Sequence, residues 1–174
     1  SALIAGVVGT TLGLLGGYFR GLVEVVTVRL ADVVLSFPPI LLALLIVTLA
    51  GPGERTLIAV LSLLYAPGFA RVAYGEVLSA RELEYVEAAR AAGAGPFRIL
   101  ARTVLPNVLP PLLVQLSLTV AAAIVIESGL SFLGLGVVPP QPSWGLMIRG
   151  ARATMDQNWL LLLWPCLALV VTIL

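Results

Sequence analysis

The feature that most restricts this chain is a series of apolar runs that carry no charge and approach the thickness of a bilayer. A helix rises 1.5 Å per residue, so about 20 apolar residues cross a hydrocarbon core about 30 Å thick. Residues 1–19, 33–52 and 103–126 contain no Asp, Glu, Lys or Arg. Residues 56–70 are also charge-free and continue past Arg71 to about Leu78, and residues 160–174 form a shorter run at the end of the chain. Of the 174 residues, 60% are hydrophobic and 11% charged, with a mean hydropathy of +1.09. A soluble domain carries about 25% charge, so this chain has too few polar residues to cover a water-facing surface. The expected fold class is all-α, a polytopic transmembrane helical bundle with about five spans. Strict alternation of apolar and polar residues, the mark of a membrane barrel, is absent. Helices pair their backbone amides internally, as lipid demands.

The composition excludes several kinds of chemistry. All ten basic residues are Arg, and His and Lys are absent. A phosphate-binding loop of the Walker A type needs its lysine. Catalytic triads and zinc sites built on histidine need an imidazole. The single cysteine, Cys166, lies in an apolar run and has no second thiol with which to form an internal disulfide. The net charge of +1 gives no case for a nucleic-acid partner. The first apolar run lacks the charged flank and cleavage site of a signal peptide. Both termini fall inside or beside apolar runs, so the sequence reads as a segment of a longer protein, truncated at both ends.

Arginine placement orients the spans. Arg20 and Arg29 follow the first span, and Arg71, Arg81, Arg90, Arg98 and Arg102 fall in or near the stretch after the third. If these seven face the cytoplasm, Arg55, Arg149 and Arg152 face outward, in keeping with the positive-inside rule. The five spans then alternate, the first running inward and the second outward. Gly9, Gly13 and Gly17 stand four apart on the first span, a spacing that lets a second helix approach closely. Pro38 and Pro39 near the start of the second span and Pro67 within the third are expected to kink or interrupt their helices.

Residues 79–107 form a connection too long for a turn and too patterned for a linker. Strong helix formers fill Glu82 to Ala92. Gly93 suits a left-handed helix cap, and Pro96 suits the first turn of a second short helix. Arg98 and Arg102 stand four apart on that second helix, beside the apolar residues Phe97, Ile99, Leu100 and Val104. Pro106, Pro110 and Pro111 then return the chain to the membrane. Ala88, Ala89, Ala91 and Ala92 offer a small-residue surface with charged flanks. Such a surface fits a partner's groove, or equally an elbow packed on its own bundle.

Particular residues carry a resemblance to a family. Glu87-Ala88-Ala89, followed by Gly93, Ile99 and Leu105-Pro106, resembles the EAA loop of ABC import permeases. Asp32 to Pro39 (DVVLSFPP), Glu127 to Gly136 (ESGLSFLGLG) and Pro139 to Gly145 (PPQPSWG) resemble the C-type permease of the dipeptide, oligopeptide and nickel branch. The resemblance covers nearly the whole chain. It implies a type I ABC importer permease fold, usually of six spans, in a bacterial or archaeal inner membrane. It implies four kinds of partner: a homologous second permease, two cytoplasmic ATP-binding-cassette subunits, an extracytoplasmic solute-binding protein, and the lipid bilayer. ATP and Mg would be used by the ATPase subunits, with no cofactor or metal bound by this chain. The loop would couple to the ATPase through Glu84, Tyr85, Glu87, Ala88, Ala89, Arg90, Gly93 and Arg98. The cargo would be a peptide or a related small solute such as nickel or a glutathione-like compound.

Gln115, Ser117 and Thr119 are polar residues within the fourth span and are candidates for lining a pathway or bonding a neighbouring helix. Glu127, at the outer end of that span, contributes to the path, reaches the interface, or pairs with Arg149 or Arg152. Residues 128–158 form an extracytoplasmic segment, with Trp144 and Trp159 suited to an interfacial belt. An ATP-independent secondary transporter or channel is the alternative function; it leaves the helix-glycine-helix loop unexplained. An intramembrane aspartyl enzyme would need two membrane aspartates, and only Asp32 and Asp156 exist, both near span ends.

Overall fold

A computed structural model of the chain describes residues 1–19, 21–156 and 158–174. Arg20, one of the arginines used to orient the spans, lies outside the described residues. The described residues form α1 (Ala2–Phe19), α2 (Leu22–Leu35), α3 (Pro39–Ala50), α4 (Glu54–Ala80), α5 (Glu84–Ala91), α6 (Pro96–Ile99), a π-helical turn (Leu100–Val104), α7 (Leu105–Phe132), α8 (Trp144–Arg152) and α9 (Leu160–Ile173). The all-helical class expected from the sequence is the one found.

Among the described residues, three helical stretches are long and apolar enough to cross a membrane: Ala2–Phe19, Glu54–Ala80 and Pro96–Phe132. The expected second span, 33–52, is divided between the end of α2 and the whole of α3, and the two together make at most one broken span. The break has a steric cause. Pro39 disfavours a helical conformation in the residue before it, and Pro38 accordingly sits at φ −56, ψ 125. Pro39 then starts α3, where a missing N–H costs nothing. Helix α9 is an apolar helix of 14 residues, about 21 Å of rise, that runs to the last residues of the sequence given. Pro67 does not interrupt its helix, and α4 continues through it. Pro110 and Pro111 likewise lie inside α7, as membrane helices tolerate when neighbours re-satisfy the freed carbonyls.

The chain forms two compact units. One comprises Ala2–Phe37 and Leu63–Ser117. Its core is Ala5, Phe69, Ala73, Val77, Ala80, Val86, Ile99, Val104, Val108 and Leu112. The glycines of α1 notch onto α4. A Cβ at Gly9 would strike the Ala66 carbonyl and come within 2.7 Å of the Phe69 Cβ. At Gly13 it would strike the Ala70 carbonyl and come within 2.7 Å of the Ala73 Cβ, and at Gly17 it would lie 2.9 Å from the Val77 Cβ. Both series ascend together, so α1 and α4 run parallel, the direction required of a first and a third span. Gly16 faces Thr27 of α2 at 3.2 Å, which places α2 folded back along α1 after Gly21, at φ 65.

The other unit comprises Ser1, Pro38–Ser62 and Leu118–Leu174. Its tightest part is the corner that follows α7. The Gly134 N–H bonds the Ser131 carbonyl at 3.0 Å and the Leu135 N–H the Leu130 carbonyl at 2.8 Å, with Gly134 at φ 83. These two bonds are the Schellman closure of a helix end. Ser143 caps α8 by accepting from the Leu146 N–H at 3.1 Å. A Cβ at Gly145 would strike the Ser128 carbonyl, and one at Gly136 the Ser131 hydroxyl. The Ser-Gly-Leu-Ser-Phe-Leu-Gly-Leu-Gly and Pro-Ser-Trp-Gly stretches therefore fold against each other as one corner.

Candidate coupling surface

Helix α5 is short, and its charges suit its dipole: Glu84 and Glu87 lie in the first turn and Arg90 in the last. Leu83 precedes it in an extended conformation, φ −86, ψ 146, without a side-chain cap. Its C-terminus is closed by Gly93 at φ 81, with the Gly93 N–H bonded to the Arg90 carbonyl at 2.9 Å and the Ala94 N–H to the Ala89 carbonyl at 3.0 Å. This is a second Schellman closure, and it supports the reading of Gly93 as a left-handed cap. Gly95 then leads into α6 with Pro96 in its first turn. The second short helix does not stand alone, because α6 passes through the π-helical turn directly into α7. The loop is therefore the lower end of a long membrane helix with α5 hinged onto it by Gly93 to Gly95.

One residue of α5, Val86, is fully buried, and it joins Val77 and Ala80 of α4 with Ile99 and Val104 in the core. This root fixes which face looks out. Glu84, Tyr85, Glu87, Ala88, Arg90, Gly93 and Arg98 are exposed together. Ala89 differs: it is half-buried and packs with Ala94 against the core. It sits inside the groove-filling surface expected of the alanines, supporting it from behind. Two apolar residues join the exposed face, Leu83 at 49% and Phe97 at 70% exposure. Leu83 escaped sequence reasoning; a large apolar residue just before a polar helix was the available signal. The surface is tied to the end of α1. The Arg90 guanidinium lies 5.7 Å from the Tyr18 ring centre, and the Phe97 ring 5.7 Å from that of Phe19.

The pathway candidates have separate surroundings. The Gln115 amide nitrogen packs where a Cβ on Gly68 would come within 3.0 Å. Ser117 is exposed and donates to the Leu113 carbonyl of its own helix at 3.2 Å. Thr119 is buried. The Glu127 carboxylate accepts from the Ser131 hydroxyl at 2.6 Å and the Ser128 hydroxyl at 3.5 Å. Arg149 and Arg152 are engaged elsewhere in the same unit: Arg149 lies against Gly134, and Arg152 over the Phe132 ring. The pairing with Arg149 or Arg152 considered for Glu127 is therefore replaced by a partner one turn along its own helix. Among the described residues, no group of three or more His, Cys, Asp or Glu is placed to hold a metal.

Comparison with known proteins adds to this geometry. The family profile described as "Binding-protein-dependent transport system inner membrane component" matches residues 9–174. The chain is 38% identical over its whole length to the glutathione transport system permease protein GsiD of Pectobacterium atrosepticum, covering 58% of that protein. It is 36% identical, again over its whole length, to the di/tripeptide transport system permease protein DppC of Pseudomonas aeruginosa, covering 57% of it. It thus spans little more than half the length of these relatives. Among solved structures, the MetNI methionine ABC transporter in inward-facing conformations superposes with a TM-score of 0.79, covering 99% of this chain and 82% of that one, at 20% identity.

Proposed function

The chain belongs to the family of binding-protein-dependent transport system inner membrane components, and we propose that it is the membrane-spanning permease subunit of an ATP-driven importer. It is a multi-pass membrane protein. The setting we propose is a bacterial or archaeal inner membrane, with residues 79–107 in the cytoplasm and 128–158 outside. The cargo is a peptide or a related small solute, nickel and glutathione-like compounds included, delivered by an external binding protein. The names of the relatives, glutathione and di/tripeptide permeases, support this class of cargo. A homologous second permease and two ATP-binding-cassette subunits complete the assembly, and ATP and Mg are used on the latter.

The observation that carries this reading is the exposed face of α5, rooted in the core by one side chain. An importer must convert ATPase closure into a change of membrane helices, which requires contacts that differ between two states. Glu84, Tyr85, Glu87, Ala88 and Gly93 are free to dock. Val86 transmits their displacement to α4 and to the start of α7, with Ala89 as backing. Arg90 and Arg98 set register on the partner. Gln115, Ser117 and Thr119 supply polar groups to the path, and Glu127 braces the outer corner.

The test is to co-express the full-length permease with its partner subunits and replace Gly93 by Trp. Loss of the co-purifying ATPase, or retention of it with collapse of ATP-dependent dipeptide uptake, is the expected result. Unchanged assembly and uptake would remove Gly93 and its face from coupling. If no ATPase accompanies the unmodified protein, an ATP-independent carrier takes its place.

A further inference from the structure

An ion pair crosses between α2 and α4 at a depth where charge is costly. The Arg71 guanidinium donates to the Asp32 carboxylate at 2.5 Å. One turn along α4, the Tyr74 hydroxyl donates to the Glu24 carboxylate at 2.5 Å. The depth follows from the packing of α1. Gly13 notches between Ala70 and Ala73 and is therefore level with Arg71. About 9 Å of helix rise separates Gly13 from the inner end of α1 at Phe19. Arg71, counted with the cytoplasm-facing arginines in the positive-inside reading, is thus set back from that end, and the two side chains are 59% and 44% exposed in this chain.

A charged group at that depth does not face lipid; it faces water or another protein group. Glu24 and Asp32 share one side of α2, which also carries the exposed apolar residues Val25 and Leu35. At about 100° per residue, Val26, Leu30 and Val33 lie opposite Glu24, Val28 and Asp32. The first three are exposed and apolar, as a lipid or helix-packing face requires. The polar side continues onto α4, where Gly75 is exposed and a Cβ there would meet nothing within 4 Å. The contact between Arg71 and Asp32 uses one nitrogen and one oxygen. The remaining guanidinium donors are positioned to take a second carboxylate, which arginine binds as a planar fork.

We propose that Arg71 and Asp32, with Glu24 and Tyr74 below them, line the water-filled solute path and that Arg71 receives the carboxylate of the transported solute. This rests on the importer reading and names the side chains that would meet its cargo. When solute binds, its carboxylate shares the guanidinium with Asp32, and its ammonium group finds Asp32 and Glu24 within the same stripe. Arg71 then selects for solutes that carry a free carboxylate.

The experiment uses the full complex in inside-out membrane vesicles, with Cys166→Ser as background. Gly75→Cys reports on the polar stripe and Val26→Cys on the opposite face of α2. The probe is the anionic, membrane-impermeant thiol reagent methanethiosulfonate ethylsulfonate. Rapid labelling of Gly75→Cys, little labelling of Val26→Cys, and slowing of the former by dialanine or by the thiol-blocked S-methylglutathione are expected. In intact cells, Arg71→Gln should lower uptake at least about tenfold, with Arg71→Lys intermediate because it keeps charge and loses the fork. Labelling at Gly75→Cys no faster than at Val26→Cys overturns the proposal, as does protection by neither solute. Full uptake in the exchanged pair Asp32→Arg with Arg71→Asp would also overturn it, by reducing the pair to a latch. Labelling needs no ATPase, so loss of ATPase co-purification in the unmodified complex would tell against the importer reading alone.

Discussion

Two helices of this chain end on the same backbone motif, in opposite surroundings. Helix α5 closes at Gly93 and α7 at Gly134, each with a left-handed glycine and the same two bonds back into the last turn. A Cβ at Gly93 would meet nothing within 4 Å. At Gly134 it would strike the Arg149 guanidinium, and the nearby Gly136 and Gly145 are packed against Ser131 and Ser128. One closure presents a surface; the other locks a corner. The difference teaches that a glycine cap by itself does not identify function. The space beyond the cap does: an open cap leaves a face for a partner, and a filled cap holds loops in register.

Substitutions should separate the two ends in order of size. Gly145→Leu should have the largest effect, because its Cβ would meet the Ser128 backbone, which cannot swing away. A loss of about 3 kcal/mol is expected, read as a lower melting temperature in detergent and less monodisperse protein. Val86→Ala removes the root of α5 and should cost about 2 kcal/mol by the cavity it leaves. It should also lower dipeptide uptake although Val86 touches no partner. Uptake that is untouched at equal expression would show that α5 moves independently of the core. Ser131→Ala deletes the 2.6 Å bond to Glu127 and the 3.4 Å bond from the Val137 N–H. About 1–2 kcal/mol of stability should go with them, with ATPase co-purification preserved. The smallest change in stability is expected at Gly93. Gly93→Ala carries the left-handed backbone penalty alone, about 1 kcal/mol. Gly93→Trp should melt close to Gly93→Ala while uptake falls at least about tenfold. If the two variants lose uptake equally, backbone strain and not surface shape governs the loop, and the contrast with Gly134 dissolves.

Much of the candidate coupling surface was legible in the sequence because its signals are local. Helix formers, a capping glycine and a proline at N1 act through neighbouring residues, and the helix found at Glu84–Ala91 sits inside the expected 82–92. The break at Pro38 and Pro39 was legible for the same reason. The continuity of α4 through Pro67 was not, since tolerance of a proline depends on what neighbouring helices offer its orphaned carbonyl. Nor was the fusion of α6 with α7, which joins a loop helix to a membrane helix through a π-helical turn.

By itself the sequence determined that this chain enters a membrane as helices, because uncharged runs of that length leave no other way to satisfy the backbone. It also determined that a short helix follows the third span and closes at Gly93. The tertiary structure alone decided which alanine of that helix faces inward and that Arg71 meets Asp32. Those outcomes depend on which residues far apart in the chain come to lie side by side. The notched face of α1 illustrates the point: the glycine spacing announced a close neighbour, and only packing showed it to be α4, lying parallel.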